Sequence, residues 1–431
     1  MTLRSIFTDT RQKAPAGLFI ALRGDKFDGH QFLAAAAANG AIAALVEATS
    51  TTPIPGLQLI QVHNSRIAMG RLAQFVRQGL HGKVIAVAGS NGKTSTKHLI
   101  DAALESALKG TISPKSFNND IGVPLSIFAA DPAHDYLVLE IGTNHPGEIK
   151  TLADIALPDI AVITNCGEEH LEGLGDLAGV RRENAQIIAG LRPDGLLVVN
   201  GDDPDLLAAV SAFPGQRVTF GFGVSNDLFA TQIICDESGV RFTLNDTGRT
   251  VFVPLLGKHT AANALAAIAV ARKMGVPEDA IIAGLSHARG PDMRLQLKKI
   301  RGITLLNDAY NANPASMRAA LATLAALPTQ GNRIAILGDM RELGESAGRY
   351  HREIGELAAT SKLDRLVCVG AEAQNIADAA EANGMRGAVQ CFADAKSAAS
   401  TVPAMLRKDD LVLLKASRSI GLEAVAKAIG A

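Results

Sequence analysis

The sequence predicts an α/β protein of several domains, built mainly on parallel sheets. Three observations predict it. Short apolar runs bounded by glycine, such as Val84-Ile-Ala-Val-Ala88, recur along the chain and read as strands buried on both faces. Helical stretches of about 10–15 residues alternate with them toward the C-terminus, the rhythm of βαβ units with right-handed crossovers. The 431 residues exceed the roughly 250–300 at which a single core stops growing, so two to four domains are expected.

Composition narrows the class. A hydrophobic fraction of 47% excludes a disordered chain, and a formal net charge of −1 argues against a dedicated nucleic-acid binder. No apolar run approaches the roughly 20 residues that span a bilayer, and the opening MTLRSIFTDTRQK lacks an apolar core of signal-peptide type. Cys166, Cys235, Cys368 and Cys391 are scattered with no C-x-x-C, which disfavours a disulfide framework or zinc site and fits a reducing cytoplasm. Abundant glycine with few aromatics suits tight strand-to-helix turns.

The first block, residues 1–80, offers strands at Gly17–Leu22 and Ala41–Val46 with an alanine-rich helix, Gln31 to Asn39, between them. The second, 81–296, offers buried strands at 84–88, 136–141, 160–164 and 196–200. Within it, 217–256 alternates apolar and polar residues and reads as an antiparallel appendage. The third, 297–431, offers strands at 303–306, 333–337, 365–369 and 411–414.

Chemistry concentrates where strands end. Gly89-Ser-Asn-Gly-Lys-Thr94, continued by Ser95, follows a buried strand and opens a helix. Glycines let backbone N–H groups approach phosphate oxygens, the helix N-terminus adds partial positive charge, Lys93 reaches the terminal phosphates and the Thr94 hydroxyl suits Mg²⁺. Glu140 ends another strand, where a carboxylate adds a hard oxygen ligand. Thr164-Asn-Cys-Gly-Glu-Glu-His170 follows a third, and His170 is either a ligand or a capping residue. Gly257–Asn263 opens an alanine-rich helix, as an ordinary helix turn also does. Asp308-Ala-Tyr-Asn-Ala-Asn-Pro314, Gly338-Asp-Met-Arg-Glu-Leu-Gly344 and Lys415-Ala-Ser-Arg-Ser419 follow strands of the third block. Three such loops on one parallel sheet line one rim, the expected place for a second binding surface facing the nucleotide.

These motifs, with Thr8-Asp-Thr-Arg11, Leu18–Gly24, Asn118-Asn-Asp-Ile-Gly-Val-Pro124 and Glu140-Ile-Gly-Thr-Asn-His-Pro-Gly-Glu148, resemble the Mur ligases of peptidoglycan synthesis over nearly the whole chain. The likeness is to the branch that adds D-alanyl-D-alanine. It implies a small N-terminal α/β domain for the UDP end of the acceptor, a central phosphate-loop domain for ATP and Mg²⁺, and a C-terminal Rossmann-like domain that receives the dipeptide. Carried over by residue, it implies catalytic roles for Lys93, Glu140, His170 and Arg294, and metal ligation by Thr94, Glu140 and His170. It implies contacts to ATP from Gly89, Ser90, Asn91, Gly92, Lys93, Thr94, Ser95, Asn263, Arg294, Asp308 and Tyr310. It implies contacts to the other substrates from Asp9, Thr10, Arg11, Asn118, Asn119, Asn311, Asn313, Lys415, Ser417 and Arg418. The implied reaction is amide-bond formation through an acyl phosphate, by a cytoplasmic monomer without nucleic-acid or membrane partners.

The chain departs from the family pattern in three places. A lysine usually modified to a metal-binding carbamate is Asn184 here, so Glu183, Glu168 or Glu169 is expected to supply the missing anion, or the second metal is held more weakly. Gly290-Pro-Asp-Met-Arg294 departs from the usual P-G-R hinge but keeps the arginine. Roughly one helix–strand unit fewer precedes Asp9, so a shortened UDP-binding domain is expected. Two other readings stay open: a related ligase for a different amine, and a nucleotide-binding module without ligase activity.

Overall fold

The computed structural model describes residues 3–24, 27–47 and 53–431. The first domain is a four-stranded parallel sheet in the order Ser5–Phe7, Gly17–Ile20, Ala41–Glu47, Gln58–Val62. The expected helix between its inner strands is a 3₁₀ turn, Gly29–Phe32, running into Leu33–Ala38; Asp28 caps the turn by accepting from the His30 N–H. The two outer strands carry half-exposed residues and lack the continuous apolar signal that marks the inner pair.

Nine strands form the central sheet: Thr250–Val253, Gly239–Leu244, Leu228–Asp236, Gln216–Gly221, Leu196–Asn200, Ile160–Ile163, Lys83–Ala88, Tyr136–Glu140 and Gly110–Ile112. The first three pair antiparallel, as the alternating pattern predicts, yet they continue the main sheet through the parallel pairing of Leu228 with Phe220. Helices cover both faces. On one, the helix Lys93–Leu104 packs with His259–Lys273, whose residues 260–271 are all buried. Seven of those twelve residues are alanine and the helix is buried on every side, so it sits inside the domain rather than on its surface. On the other face, Glu148–Ala156 closes a second core with Val84, Leu137 and Ile163.

The C-terminal sheet runs Gln296–Ile300, Ile303–Asn307, Leu411–Lys415, Arg333–Gly338, Arg365–Val369, Val389–Phe392, with only the first strand antiparallel. Its first strand thus begins one residue before the expected boundary at 297. The three strands that end in polar loops are neighbours in this order, so those loops share one rim. Among the described residues no helix is long and apolar enough to cross a membrane.

The helix Ser65–Gln78 joins the first two domains. Asn64 caps it by accepting from the Ile67 N–H. Met69 packs under the first sheet and Ala73 under the central one. Near its end Arg77, 1% exposed, donates to the carbonyls of Ala156 and Leu157 and to Asp159 at 2.6 Å. A buried charge is tolerated only when its partners are in place. Arg77→Ala should lower stability by about 3 kcal/mol, read as a shift in the guanidinium unfolding midpoint. An unchanged midpoint would mean that Lys83 and Arg192, which also face Asp159, suffice alone.

Candidate active site

The strand Lys83–Ala88 lies between Ile160–Ile163 and Tyr136–Glu140, so three strand ends converge. The loop leaving the first of them is pinned to the segment after the second. The Asn91 N–H donates to Asn165 Oδ1 at 3.0 Å, Asn165 Nδ2 donates to the Asn91 carbonyl at 2.9 Å, and the Thr164 hydroxyl donates to that same carbonyl at 2.6 Å. Gly89 and Gly92 have φ of +126° and +83°, which only glycine adopts without strain. A Cβ on Gly92 would stand 2.7 Å from Asn263 Oδ1, which places the buried Asn263 against the loop. Lys93 folds back over the loop, donating to the Gly89 and Ser90 carbonyls at 2.5 and 3.2 Å, with Glu169 Oε2 at 3.8 Å.

Beside the loop lies a buried acidic centre. Glu140, 2% exposed, accepts from the Thr94 hydroxyl at 2.6 Å and from Asn118 Nδ2 at 3.0 Å. The ammonium of Lys97, fully buried, sits 3.8 Å away and donates to the carbonyls of Ser113 and Lys115. Burial pushes the Lys97 ammonium below its ordinary range, and Glu140 opposes that shift.

The C-terminal loops face this centre across a cleft of about 1650 Å³. Asp308 accepts from Lys415 Nζ at 2.6 Å and from the Leu295 N–H at 3.0 Å, and Lys415 also donates to the Asn311 carbonyl. The pair is buried and sets the path of 308–313. Tyr310 donates its hydroxyl proton to Ser116 of the central domain at 2.8 Å, while the Arg294 guanidinium stacks on its ring at 4.2 Å and that of Arg418 lies 5.6 Å from it. Asn313 caps the helix Pro314–Ala326 and donates to Asn91 Oδ1 at 3.0 Å. Ser417 accepts from the Arg341 N–H. His170 has φ +49° and stands at the N-cap of the helix Leu171–Leu174, but its side chain makes no cap hydrogen bond. Instead Nδ1 contacts Glu342 of the C-terminal domain and Nε2 lies 3.9 Å from Glu169. The His170 ring holds the Glu342 carboxyl below its usual range. Burial pushes the nearby Cys166 thiol up to about 12.

Comparison with known proteins matches three family models in order: "Mur ligase family, catalytic domain" over residues 2–78, "Mur ligase middle domain" over 87–271 and "Mur ligase, glutamate ligase domain" over 293–418. The UDP-N-acetylmuramoyl-tripeptide–D-alanyl-D-alanine ligase of Bacillus subtilis is 38% identical over 99% of this chain and 93% of its own length. The Escherichia coli protein of that name is 38% identical over 100% and 94%. Among solved structures, MurF from Acinetobacter baumannii superposes with a TM-score of 0.88 at 32% identity, covering 100% of this chain and 94% of that one. MurF from Thermotoga maritima, in complex with ADP, gives 0.88 at 27%, covering 99% and 97%. The chain belongs to the Mur ligase family.

Most residues singled out in the sequence of this Mur ligase meet at the cleft. Ser90, Asn91, Gly92, Lys93 and Ser95 line one wall with Asn263. Asn118, Asn119, Glu140 and His170 line the floor. Arg294, Asp308, Tyr310, Asn311, Asn313, Lys415, Ser417 and Arg418 line the opposite wall. Gly89 and Thr94 lie just beneath. Asp9, Thr10 and Arg11 are the exception, for they do not line the cleft. Arg11 bonds Asp9 in an exposed local pair at 2.6 Å, and the Thr10 carbonyl accepts from Asn39. The first domain instead presents Arg66, paired with Asp120 at 3.1 Å. Glu183 is also corrected: its carboxylate accepts from the backbone N–H groups of Gly147 and Ile149, both at 2.8 Å, and so caps the helix Glu148–Ala156. Glu168 is held by Arg318 at 2.6 Å, and Asn184 donates to its own helix at the Val180 carbonyl. Of the three proposed carboxylates only Glu169 faces the cleft. Sequence reading missed Arg66, Lys97, Ser116 and Glu342. Only the G-D-M-R-E-L-G motif gave any signal, and it pointed to the loop rather than to Glu342.

Replacing Gly92 by alanine should add roughly 1–2 kcal/mol of left-handed strain and press on Asn263. ADP binding by calorimetry should weaken at least about tenfold. Gly248→Ala, at φ +67° with open space around it, carries the strain alone and should leave ADP binding intact.

Proposed function

We propose that this chain joins D-alanyl-D-alanine to a UDP-N-acetylmuramoyl-tripeptide with conversion of ATP to ADP and phosphate. The observation that carries it is the facing of a phosphate loop with its acidic centre, Lys93–Thr94–Glu140, by the polar rim 308–313 of a second parallel sheet. ATP meets the first, and the dipeptide and the adenine–ribose end meet the second. The four free thiols fit a reducing compartment.

The donors fit Mg²⁺. Glu140 and the Thr94 hydroxyl are hard oxygen ligands, and Glu140 is buried with its charge only partly offset by Lys97. Among the described residues no three His, Cys, Asp or Glu side chains converge as a ready-made cage. That suits Mg²⁺, which takes one or two carboxylates and fills the rest of its shell with phosphate oxygens and water. Thr94, Glu140 and His170 would hold it, with Glu169 in reach of His170, and it would supply charge neutralisation between phosphates and carboxylate.

In the first step a carboxylate oxygen of the tripeptide bonds the γ-phosphorus and the bond to the β-phosphate oxygen breaks, giving ADP and an acyl phosphate. In the second the dipeptide amine bonds the carbonyl carbon, the amine proton leaves, and phosphate departs from the tetrahedral centre. The first step brings two anions together, so cations must sit at the point of contact. Lys93 does so by leaving the Gly89 and Ser90 carbonyls for the phosphates. Arg294 approaches from the hinge, its plane held against Tyr310. Asn118, already bonded to Glu140, lies where the acceptor peptide enters. Docking of the third domain through Tyr310–Ser116 and Asn313–Asn91 keeps water from the acyl phosphate.

A phosphate-release assay with D-Ala-D-Ala and UDP-muramoyl tripeptides ending in meso-diaminopimelate or lysine should respond to one of them. Release with neither overturns the assignment. Lys93→Ala should lower kcat by about 10²–10³ with the fold retained. Glu169→Gln should raise the Mg²⁺ concentration for half-maximal turnover roughly tenfold. Glu183→Ala should leave it unchanged and cost about 1 kcal/mol of stability through loss of the cap.

A further inference from the structure

Glu342 belongs to the C-terminal domain, yet its side chain ends on a residue of the central one. It lies in the loop after the strand Arg333–Gly338 and has φ +65°, a left-handed conformation that strains a non-glycine residue. His170, opposite it, is left-handed too. The two strained residues meet: Glu342 Oε2 contacts His170 Nδ1, and the Glu342 carbonyl accepts from the Glu172 N–H at 3.1 Å. Beneath them Leu171 and Leu174 of the central domain share one apolar cluster with Met340 and Leu343 of the C-terminal domain. The backbone is therefore anchored on both sides of the contact, and the imidazole lies with Nδ1 against the Glu342 carboxylate, its one close charged neighbour on that side among the described residues. Its other nitrogen, Nε2, points to Glu169, 3.9 Å away, which in turn stands 3.8 Å from Lys93 of the phosphate loop.

We infer that Glu342 is a positioning residue for His170: its carboxylate, set against Nδ1, holds the ring so that Nε2 faces the phosphate cleft, and it does so only when the C-terminal domain is docked. A histidine that serves a metal or phosphate centre is oriented through its second nitrogen, and carboxylates commonly do this. Here the orienting carboxylate comes from the neighbouring domain. Domain docking and competence of the cation–phosphate centre are thereby one event. The inference rests on the proposed role of His170 and adds the means by which that role is switched on.

The test is calorimetric binding of ADP to the full chain, with Mg²⁺ and with EDTA, in the parent, Glu342→Ala, Glu342→Gln, His170→Ala and the double variant Glu342→Ala/His170→Ala. The Mg²⁺-dependent gain in ADP affinity should fall about tenfold in Glu342→Ala, while affinity in EDTA stays at the parent value. Glu342→Gln, which keeps an oxygen toward Nδ1, should retain the larger part of the gain. The double variant should lose no more than His170→Ala alone, since the two residues act as one unit. If Glu342→Ala keeps the full gain while His170→Ala loses it, the positioning role falls and the role of His170 stands. If His170→Ala keeps the gain, the role of His170 itself falls. Equal weakening of ADP binding in Mg²⁺ and in EDTA by Glu342→Ala would reduce Glu342 to a docking contact and overturn the inference.

Discussion

The site depends on one buried carboxylate. Glu140 is almost without solvent, and a charge so placed must be met by hydrogen bonds and an opposite charge or it neutralises. Thr94 opens the phosphate-loop helix, Asn118 belongs to the loop that lines the cleft at 118–120, and Lys97 ties the helix to the turn 113–115. One strand end therefore fixes the phosphate loop and the loop 113–120 relative to one another. Lys97 does not line the cleft, but its buried ammonium stands 3.8 Å from the Glu140 carboxylate and opposes its charge.

The first two domains are joined differently from the third. Arg77 is buried at the first boundary, spends its donors on two carbonyls and Asp159, and lies within shared cores. The third domain meets the central one through polar contacts, Tyr310 to Ser116, Asn313 to Asn91, Arg318 to Glu168 and Glu342 to His170, and through an apolar cluster in which Leu171, Leu174 and Leu256 join Met340 and Leu343.

The parts of this architecture that were legible in the sequence are those whose physics is local. A strand buried on both faces is a continuous apolar run, and a phosphate loop is glycine between strand and helix, so both could be read from neighbouring residues. The rim formed by 308–313, 338–344 and 415–419 was legible one step further, because neighbouring parallel strands end at the same side. What escaped depends on side chains meeting across long chain separations. Glu183 looked available as an anion, but it caps a helix begun 35 residues earlier. The pairing of Asp9 with Arg11, two residues apart, likewise shows only in the folded chain. Lys97 and Ser116 carry no motif and are placed only by the fold. Edge strands such as Gln58–Val62 were missed because half-exposed residues give neither the apolar run nor clean alternation.

The near-zero net charge of the chain follows from the same geometry. Two anionic substrates call for a local excess of cations, not a basic protein. Lys93, Arg294, Arg341 and Arg418 stand on the cleft walls with Arg66 at its edge, while Glu140 and Glu169 sit among them. Several of these cations are engaged by groups they can leave: Lys93 by two carbonyls, Arg66 by an exposed aspartate, Arg294 by an aromatic face. Partly exposed ion pairs are worth no more than about 1 kcal/mol, so a phosphate or carboxylate entering the cleft displaces them at small cost. A ligand that bridges both walls adds its contacts to the polar bonds and the apolar cluster that already join the third domain to the central one.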